Sequence, residues 1–446
     1  MLWLAIAFNN LMHASDKTKR KLVSALQNGE KFMVEKIDLL VFNSSKLLTL
    51  ECKGKPLVGK EMQNLNVIEN GAVAVKDGKV LETGTSESLL KKYEAKELVD
   101  AGNCLLMPGF VDCHTHTVFA GSREYELGMK ISGASYLDIL KAGGGIHSTV
   151  NATRTATENE LYDLASDRLD AMIRHGTTTV EIKSGYGLDY ESEKKILKVI
   201  AKLDKEHQAR IVSTYLGAHT FPQDMSREEY LKLILERALP DFKRLTEFCD
   251  IFTEEGAFNI SETEAILKRA KELGYKLKIH AGQFNDLGAA SLASDLGAIS
   301  ADHLEFISLK ELDIMKKNGT AAVLMPGVAF FLMNGKYPDA RQMINNGNIV
   351  ALSTDFNPGS CPAYSMQFMI ALGCYQMKMT PEEAIVASTV NAAYAIDRLD
   401  VCGSLEAGKD ADIIILKVSE PAHIPYYFGS NLVCKVFKSG NLVYQQ

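Results

Sequence analysis

The run MPGFVDCHTH, residues 107–116, decides how the chain reads. An apolar stretch of strand length closes on two histidines one residue apart. Side chains along a strand alternate between its faces, so His114 and His116 point the same way. The chain holds only ten histidines in 446 residues. Two of them in register at a strand end can bite one metal ion. A lone H-x-H also arises by chance or from core packing, so the rest of the chain has to arbitrate.

Working outward, apolar runs of strand length alternate with helical stretches, the pattern of parallel β/α units. The runs fall at 105–112, 177–183, 210–216, 249–252, 276–279, 298–301, 320–325 and 348–353. Capping boxes start the helices between them: SETE (261–264), SLKE (308–311) and TPEE (380–383), the last with Pro381 at the first helical position. Glycine C-caps end others, at RHG (174–176), ELG (272–274) and KNG (317–319). Eight such units predict an α/β chain with a (β/α)8 TIM-type barrel over residues 105–403, its active site at the C-terminal ends of the strands. Flanking it, short β-like segments occur from about Glu35, with Asp77-Gly78 as a hairpin turn, and again near the end. Residues 35–104 and 404–446 are therefore expected to form a small composite β-sandwich domain.

Residues 1–34 read as an N-terminal extension of open role. Their apolar start, MLWLAIAFNNLMHA, lacks a basic leader and a cleavage signature, and is too short to span a bilayer. A docked helix or a simple extension fits it. The net charge of -7, without a Lys/Arg block, argues against nucleic-acid binding. The eight cysteines are scattered without a C-x-x-C pair, which suits reduced thiols in a cytoplasmic protein with no membrane association.

At the strand ends stand His114 and His116, then KSGYG (183–187), GAHT (217–220), TEEGAF (253–258), HAGQ (280–283), DHLE (302–305) and TDFNPGS (354–360). Five of the ten histidines lie on this rim. H-x-H, a strand-5 histidine and a strand-8 aspartate suit zinc or iron with a position left for water. Such an ion makes water nucleophilic near neutral pH, which implies hydrolysis of an amide, amidine or aryl-amine. His303 is placed to hold the water or shuttle its proton; its plain alternative is a hydrogen-bonded core histidine. Asp355 serves as ligand and proton acceptor together. A two-metal site needs a bridging ligand on strand 4, and none of the lysines is there; Lys183 is on strand 2. Glu254 and Glu255 stay open as ligands, with one metal favoured.

These rim motifs resemble the amidohydrolase superfamily. FAGSREYE (119–126), AGGGIHSTVNATR (142–154), EIKSGYGLD (181–189), LGAHT (216–220) and ALSTDFNPGS (351–360) narrow the likeness to the imidazolonepropionase family, from about residue 37 to the C-terminus. The resemblance implies metal-dependent opening of 4-imidazolone-5-propanoate to N-formimidoyl-L-glutamate, a step of histidine breakdown. It implies one divalent zinc or iron ion per chain on His114, His116, His280 and Asp355, and a homodimer. It implies substrate contacts by Arg123, Tyr186, His219, Gln283, Asn357, Gly359 and Ser360.

The residue chemistry agrees on several of these. Arg123 offers a bidentate fork for a carboxylate tail, against a surface ion pair with Glu124 or Glu126. Tyr186 can present a hydroxyl at the rim, against a packed barrel tyrosine. His219 can donate to an oxyanion, or cap a strand. Gly143, Gly144 and Gly145 could form an anion nest or lid, or a plain loop. Gln283 occupies a catalytic position where deaminases carry Glu. A glutamine cannot move a proton, so proton traffic falls on Asp355 and His303. The family takes either residue there, which disfavours an ammonia-releasing aminohydrolase, the alternative enzyme. A non-catalytic scaffold is the other alternative, and the full ligand set opposes it.

Overall fold

Eight parallel strands pair in chain order in the computed structural model: Phe110–Thr115, Thr177–Lys183, Arg210–Ala218, Phe248–Thr253, Lys276–Ala281, Ser300–His303, Ala321–Leu324 and Val350–Leu352. They are called barrel strands 1 to 8. The structure describes residues 35–133 and 143–446. The expected extension 1–34 and Ala142 of the glycine run lie outside the described residues. Closure comes from the segment after strand 8: Asp355 N donates to His114 O at 3.0 Å and His116 N donates to Phe356 O at 2.9 Å. Strands 1, 2, 6, 7 and 8 are buried along their whole length. That is why strands 7 and 8, AAVL and VAL, read as continuous apolar runs rather than as alternating ones.

The chain ends build two further sheets. One has four strands in the order Lys79–Thr85, Gly71–Lys76, Glu35–Phe42 and Tyr93–Asp100. The other has six: Asn441–Gln445, Val433–Lys438, Ile413–Leu416, Leu105–Pro108, Lys46–Leu48 and Val67–Glu69. Leu39, Val41, Val73, Leu106, Ile413 and Phe437 share one apolar cluster between them. The hairpin turns at Asp77-Gly78 with both residues at positive φ, 53° and 74°, the geometry of a type I′ turn.

Two local expectations are corrected. The run 105–112 is two strands, not one. Leu105–Pro108 pairs with Ile413–Leu416 in the six-stranded sheet, and Phe110–Thr115 opens the barrel. The chain passes from one to the other at Gly109, where a Cβ would collide with the Thr178 side chain. The helix expected to start at SETE starts earlier. Asn259 is its N-cap: Glu262 N donates to Asn259 Oδ1 at 3.0 Å, and Asn259 N donates to Glu262 Oε2 at 2.9 Å. The Thr380–Glu383 box, with Pro381 in the first turn, is found where expected.

Candidate metal centre

His114 is the penultimate residue of barrel strand 1, His116 follows the strand, His280 lies on strand 5, His303 ends strand 6 and Asp355 follows strand 8. Parallel pairing sets His280 beside Asp302 and Ala281 beside His303. The side chains converge. Potential ligand atoms of His114, His116 and His280 lie within 4.8 Å of one another, as do those of His114, His303 and Asp355. Asp355 Oδ1 is 3.5 Å from His114 Nε2 and 3.3 Å from His116 Nε2. His303, Leu304 and Asp355 have φ of 84°, 66° and 50°. Non-glycine residues in the left-handed region carry strain, held here by the surrounding barrel.

The donor set fits a cation. Buried polar atoms nearly always find a partner. Here, among the described residues, His114 Nε2, His116 Nδ1, both ring nitrogens of His280, His303 Nδ1 and Asp355 Oδ1 are buried without a hydrogen-bond partner. Burial first, then neighbouring positive charge, holds His114, His116 and His303 well below the usual imidazole range. Neutral rings with free lone pairs are what a metal requires. Burial pushes the Asp355 carboxyl up to about 6. Glu254, kept open as a ligand, is otherwise engaged: it accepts from Phe284 N and Asn285 Nδ2, both at 2.9 Å. Among the described residues, Glu255 belongs to no metal-sized group either.

The remaining predicted residues surround this cluster. The His219 ring stacks on His116 with centroids 5.2 Å apart, and Tyr186 lies 5.6 Å from both rings. His219 Nδ1 is 3.1 Å from Gly185 O. A carbonyl only accepts, so Nδ1 carries the proton and the neutral ring turns Nε2 out as an acceptor. Burial, with the charges of His116 and His280, pushes His219 down to about 3, so the ring is neutral. The oxyanion-donor role expected of His219 needs the proton on Nε2 instead. Asn357 works within its own loop: its Oδ1 accepts from Gly359 N and Ser360 N, both at 2.8 Å, and its Nδ2 donates to Asp355 O at 2.7 Å. Ser360 Oγ reaches Asp355 Oδ2 at 3.4 Å. Gln283 is half-buried just beyond strand 5.

Arg123 is held by Glu126, but not at the surface. Arg123 Nε and Nη2 donate to the two Glu126 carboxylate oxygens at 2.8 and 2.9 Å, and Glu126 is fully buried. Gly145 N donates to the same carboxylate at 2.7 Å, which anchors the end of the glycine run. The guanidinium rests on Gly359, where a Cβ would overlap Nη1. Among the described residues, Nη1 and the second Nη2 proton have no acceptor.

Sequence reasoning offered Glu126 as a partner of Arg123 only at the surface, and missed its burial. It also missed the charged layer beneath the imidazoles: Glu181, Asp250, Lys278 and Asp302, with Lys183 set aside as misplaced. The signal was present as alternation. Glu181/Lys183 and Lys278/His280 are i, i+2 pairs on apolar strands, the register of inward-facing positions.

Three kinds of comparison bear on this site. A family model described as "Amidohydrolase family" matches residues 105–443. The imidazolonepropionase of Clostridium tetani is 47% identical over 420 residues, covering 93% of this chain and 100% of its own. That of Alkaliphilus oremlandii is 46% identical, covering 92% and 99%. A solved 5-methylcytosine deaminase from Klebsiella pneumoniae superposes with a TM-score of 0.70 at 13% identity over 91% of this chain and 98% of its own. A zinc-bound adenosine deaminase from Xanthomonas campestris gives 0.68 at 19% over 93% and 94%. At such identities these two speak for the fold alone.

Proposed function

The chain belongs to the amidohydrolase family, and from that premise we propose that it carries the activity of its imidazolonepropionase relatives. It is a hydrolase of cyclic amide C–N bonds that opens 4-imidazolone-5-propanoate to N-formimidoyl-L-glutamate, a reaction of histidine breakdown. The observation that carries this reading is identity of 45–47% along nearly the whole chain and nearly the whole of each relative.

His114, His116, His280 and Asp355 would hold one divalent ion per chain, zinc or iron, as three imidazoles and a carboxylate suit both. Bound there, the ion supplies Lewis acidity and makes water nucleophilic near neutral pH. The chain's own residues do the rest. Arg123, aimed by Glu126, pairs with the propanoate tail. His219 Nε2 accepts a ring N–H, and Tyr186 closes the side of the pocket against water. Asp355 takes the proton of the attacking water while His303 orients it. As the oxygen joins the carbonyl carbon and the ring C–N bond breaks, that proton passes to the leaving nitrogen. Gln283 contacts substrate and carries no proton. The loop of Asn357, Gly359 and Ser360 shapes the floor under the tail.

The catalytic unit is the barrel, 105–403 in outline, with the composite β domain of 35–104 and 404–446 beside it. We place the protein in the cytoplasm as a homodimer acting on a small molecule. All eight cysteines are free thiols, and no described helix is long and apolar enough to cross a membrane. The test is turnover: the purified chain consumes imidazolone-propanoate, forms formimidoyl-glutamate and releases no ammonia. Ammonia from a purine, pyrimidine or guanidino compound, without imidazolone turnover, overturns the reading.

A further inference from the structure

Five charged side chains lie beneath the imidazole cluster with no solvent exposure: Glu181, Lys183, Asp250, Lys278 and Asp302. Lys183 is their centre. Its Nζ is 2.7 Å from Asp250 Oδ2, 2.9 Å from Glu181 Oε1 and 3.7 Å from Asp302 Oδ2. The two aspartate oxygens it faces are the ones that meet the ligand histidines. Asp302 Oδ2 is 2.6 Å from His114 Nδ1, and Asp250 Oδ2 is 3.1 Å from His280 Nδ1. We infer that Lys183 is a positioning residue for the metal: one ammonium ties together the carboxylates behind His114 and His280, so that both rings are held with Nδ1 facing the charged layer.

Each part of the arrangement supports this. A carboxylate can only accept, so the Asp302 contact selects the Nδ1–H form of His114 and leaves its Nε2 lone pair toward the site, while Asp250 faces His280 Nδ1 at ion-pair distance. Such outer carboxylates orient ligands and raise their basicity. The other oxygen of each aspartate is also occupied: Ser300 Oγ donates to Asp302 Oδ1 at 2.6 Å, and Ile251 N donates to Asp250 Oδ1 at 2.7 Å. The carboxylates are thereby fixed in rotation as well as in place. Lys278 shares the load on Glu181, at 3.2 Å from Oε2.

Two ammoniums face three carboxylates, so the layer is net negative just below the cation site. Buried ion pairs contribute little to stability against an apolar core of the same shape. A purely structural filling of this barrel would do as well with leucines and valines. Lys183 is no candidate nucleophile or base. Burial works against its charge, yet Asp250, Glu181 and Asp302 outweigh it and hold the ammonium protonated.

The inference rests on the metal reading proposed above, and its test separates the two. Apo full-length chain is titrated with cobalt(II) alone. Its affinity is read by competition with a chelator, the bound ion's visible absorption reports ligand geometry, and circular dichroism reports the fold. Wild type binds one cobalt per chain; absence of binding overturns the metal reading itself. Lys183→Met weakens cobalt binding by about tenfold to a hundredfold and shifts the visible band, while Lys183→Arg recovers part of both. The double variant Lys183→Met/Asp250→Asn keeps the layer's charge balance and carries the same expectation should the single variant not fold. Wild-type affinity and an unmoved band in a folded variant lacking Lys183 overturn the inference and leave the metal reading standing.

Discussion

The imidazole cluster at the barrel mouth and a polar cluster in the β domain are built on opposite terms. At the barrel mouth, buried nitrogens of His114, His116, His280 and His303 have no hydrogen-bond partner. In the β domain, Cys52, Ser404, Glu406 and Lys409 satisfy one another. Lys409 Nζ donates to Ser404 Oγ at 2.7 Å, and Glu406 Oε1 accepts from Ser404 Oγ at 2.7 Å and from Cys52 N at 3.2 Å. A closed network of this kind stabilises a junction between distant parts of the chain. An open one destabilises the empty protein and waits for a ligand. The difference separates residues kept for folding from residues kept for chemistry, although both groups are polar and buried.

Changes at the open cluster should strike activity and spare the fold. The largest effect is expected from His116→Ala. Metal content should fall from about one ion per chain to near none, and kcat/KM by at least about a thousandfold. The circular dichroism should be unchanged, because a large barrel core does not depend on one rim ligand. Full turnover in chelator-treated, metal-free protein would remove the distinction drawn here.

Next comes Arg123→Ala. It should raise KM far more than it lowers kcat, costing about 2–4 kcal/mol in kcat/KM for a lost charge-assisted pair. Arg123→Lys should recover part of that, since an ammonium cannot make the bidentate contact. Glu126→Gln leaves the arginine in place but loosens its aim. A KM rise of about fivefold to tenfold, roughly 1 kcal/mol, is expected from steady-state kinetics. An unchanged KM would show that Arg123 needs no partner to point correctly.

The closed cluster should behave in reverse. Ser404, Cys52 and Lys409 outweigh burial and hold the Glu406 carboxyl at about 2, against the usual ~4.3. A depressed carboxyl stabilises the fold above its unfolded pKa and loses that contribution as pH falls toward the folded one. Glu406→Gln should therefore lower stability by about 1–3 kcal/mol near pH 7 and narrow the gap to wild type as pH falls from about 4 to 2. Denaturant unfolding against pH reads this, and kcat/KM should not move. The smallest effect is expected from deleting residues 1–32, which removes no member of either cluster and should leave kcat/KM within about threefold.

The barrel and its rim were legible in the sequence because both depend on short-range pattern. Eight apolar runs spaced by capped helices specify parallel units, and a strand end is where such a fold places its chemistry. His114 and His116 lie in register on one strand, so their convergence follows from period two alone. Placing His280, His303 and Asp355 beside them needed only the strand order, which the connections dictate. The hairpin at Asp77-Gly78 and the cap at Thr380 are likewise local.

What the tertiary structure alone decided are relations across space. The break at Gly109 exists because Leu105–Pro108 finds Ile413–Leu416, some three hundred residues away. His219 Nδ1 meets Gly185 O, and Arg123 pairs with a buried Glu126. Lys183 looked misplaced while it was read against one strand. Its three carboxylate partners come from strands 2, 4 and 6, and only closing the barrel brings them around one ammonium. Sequence pattern carries the period of each element; which charges must neutralise one another in a dry interior is settled by distance.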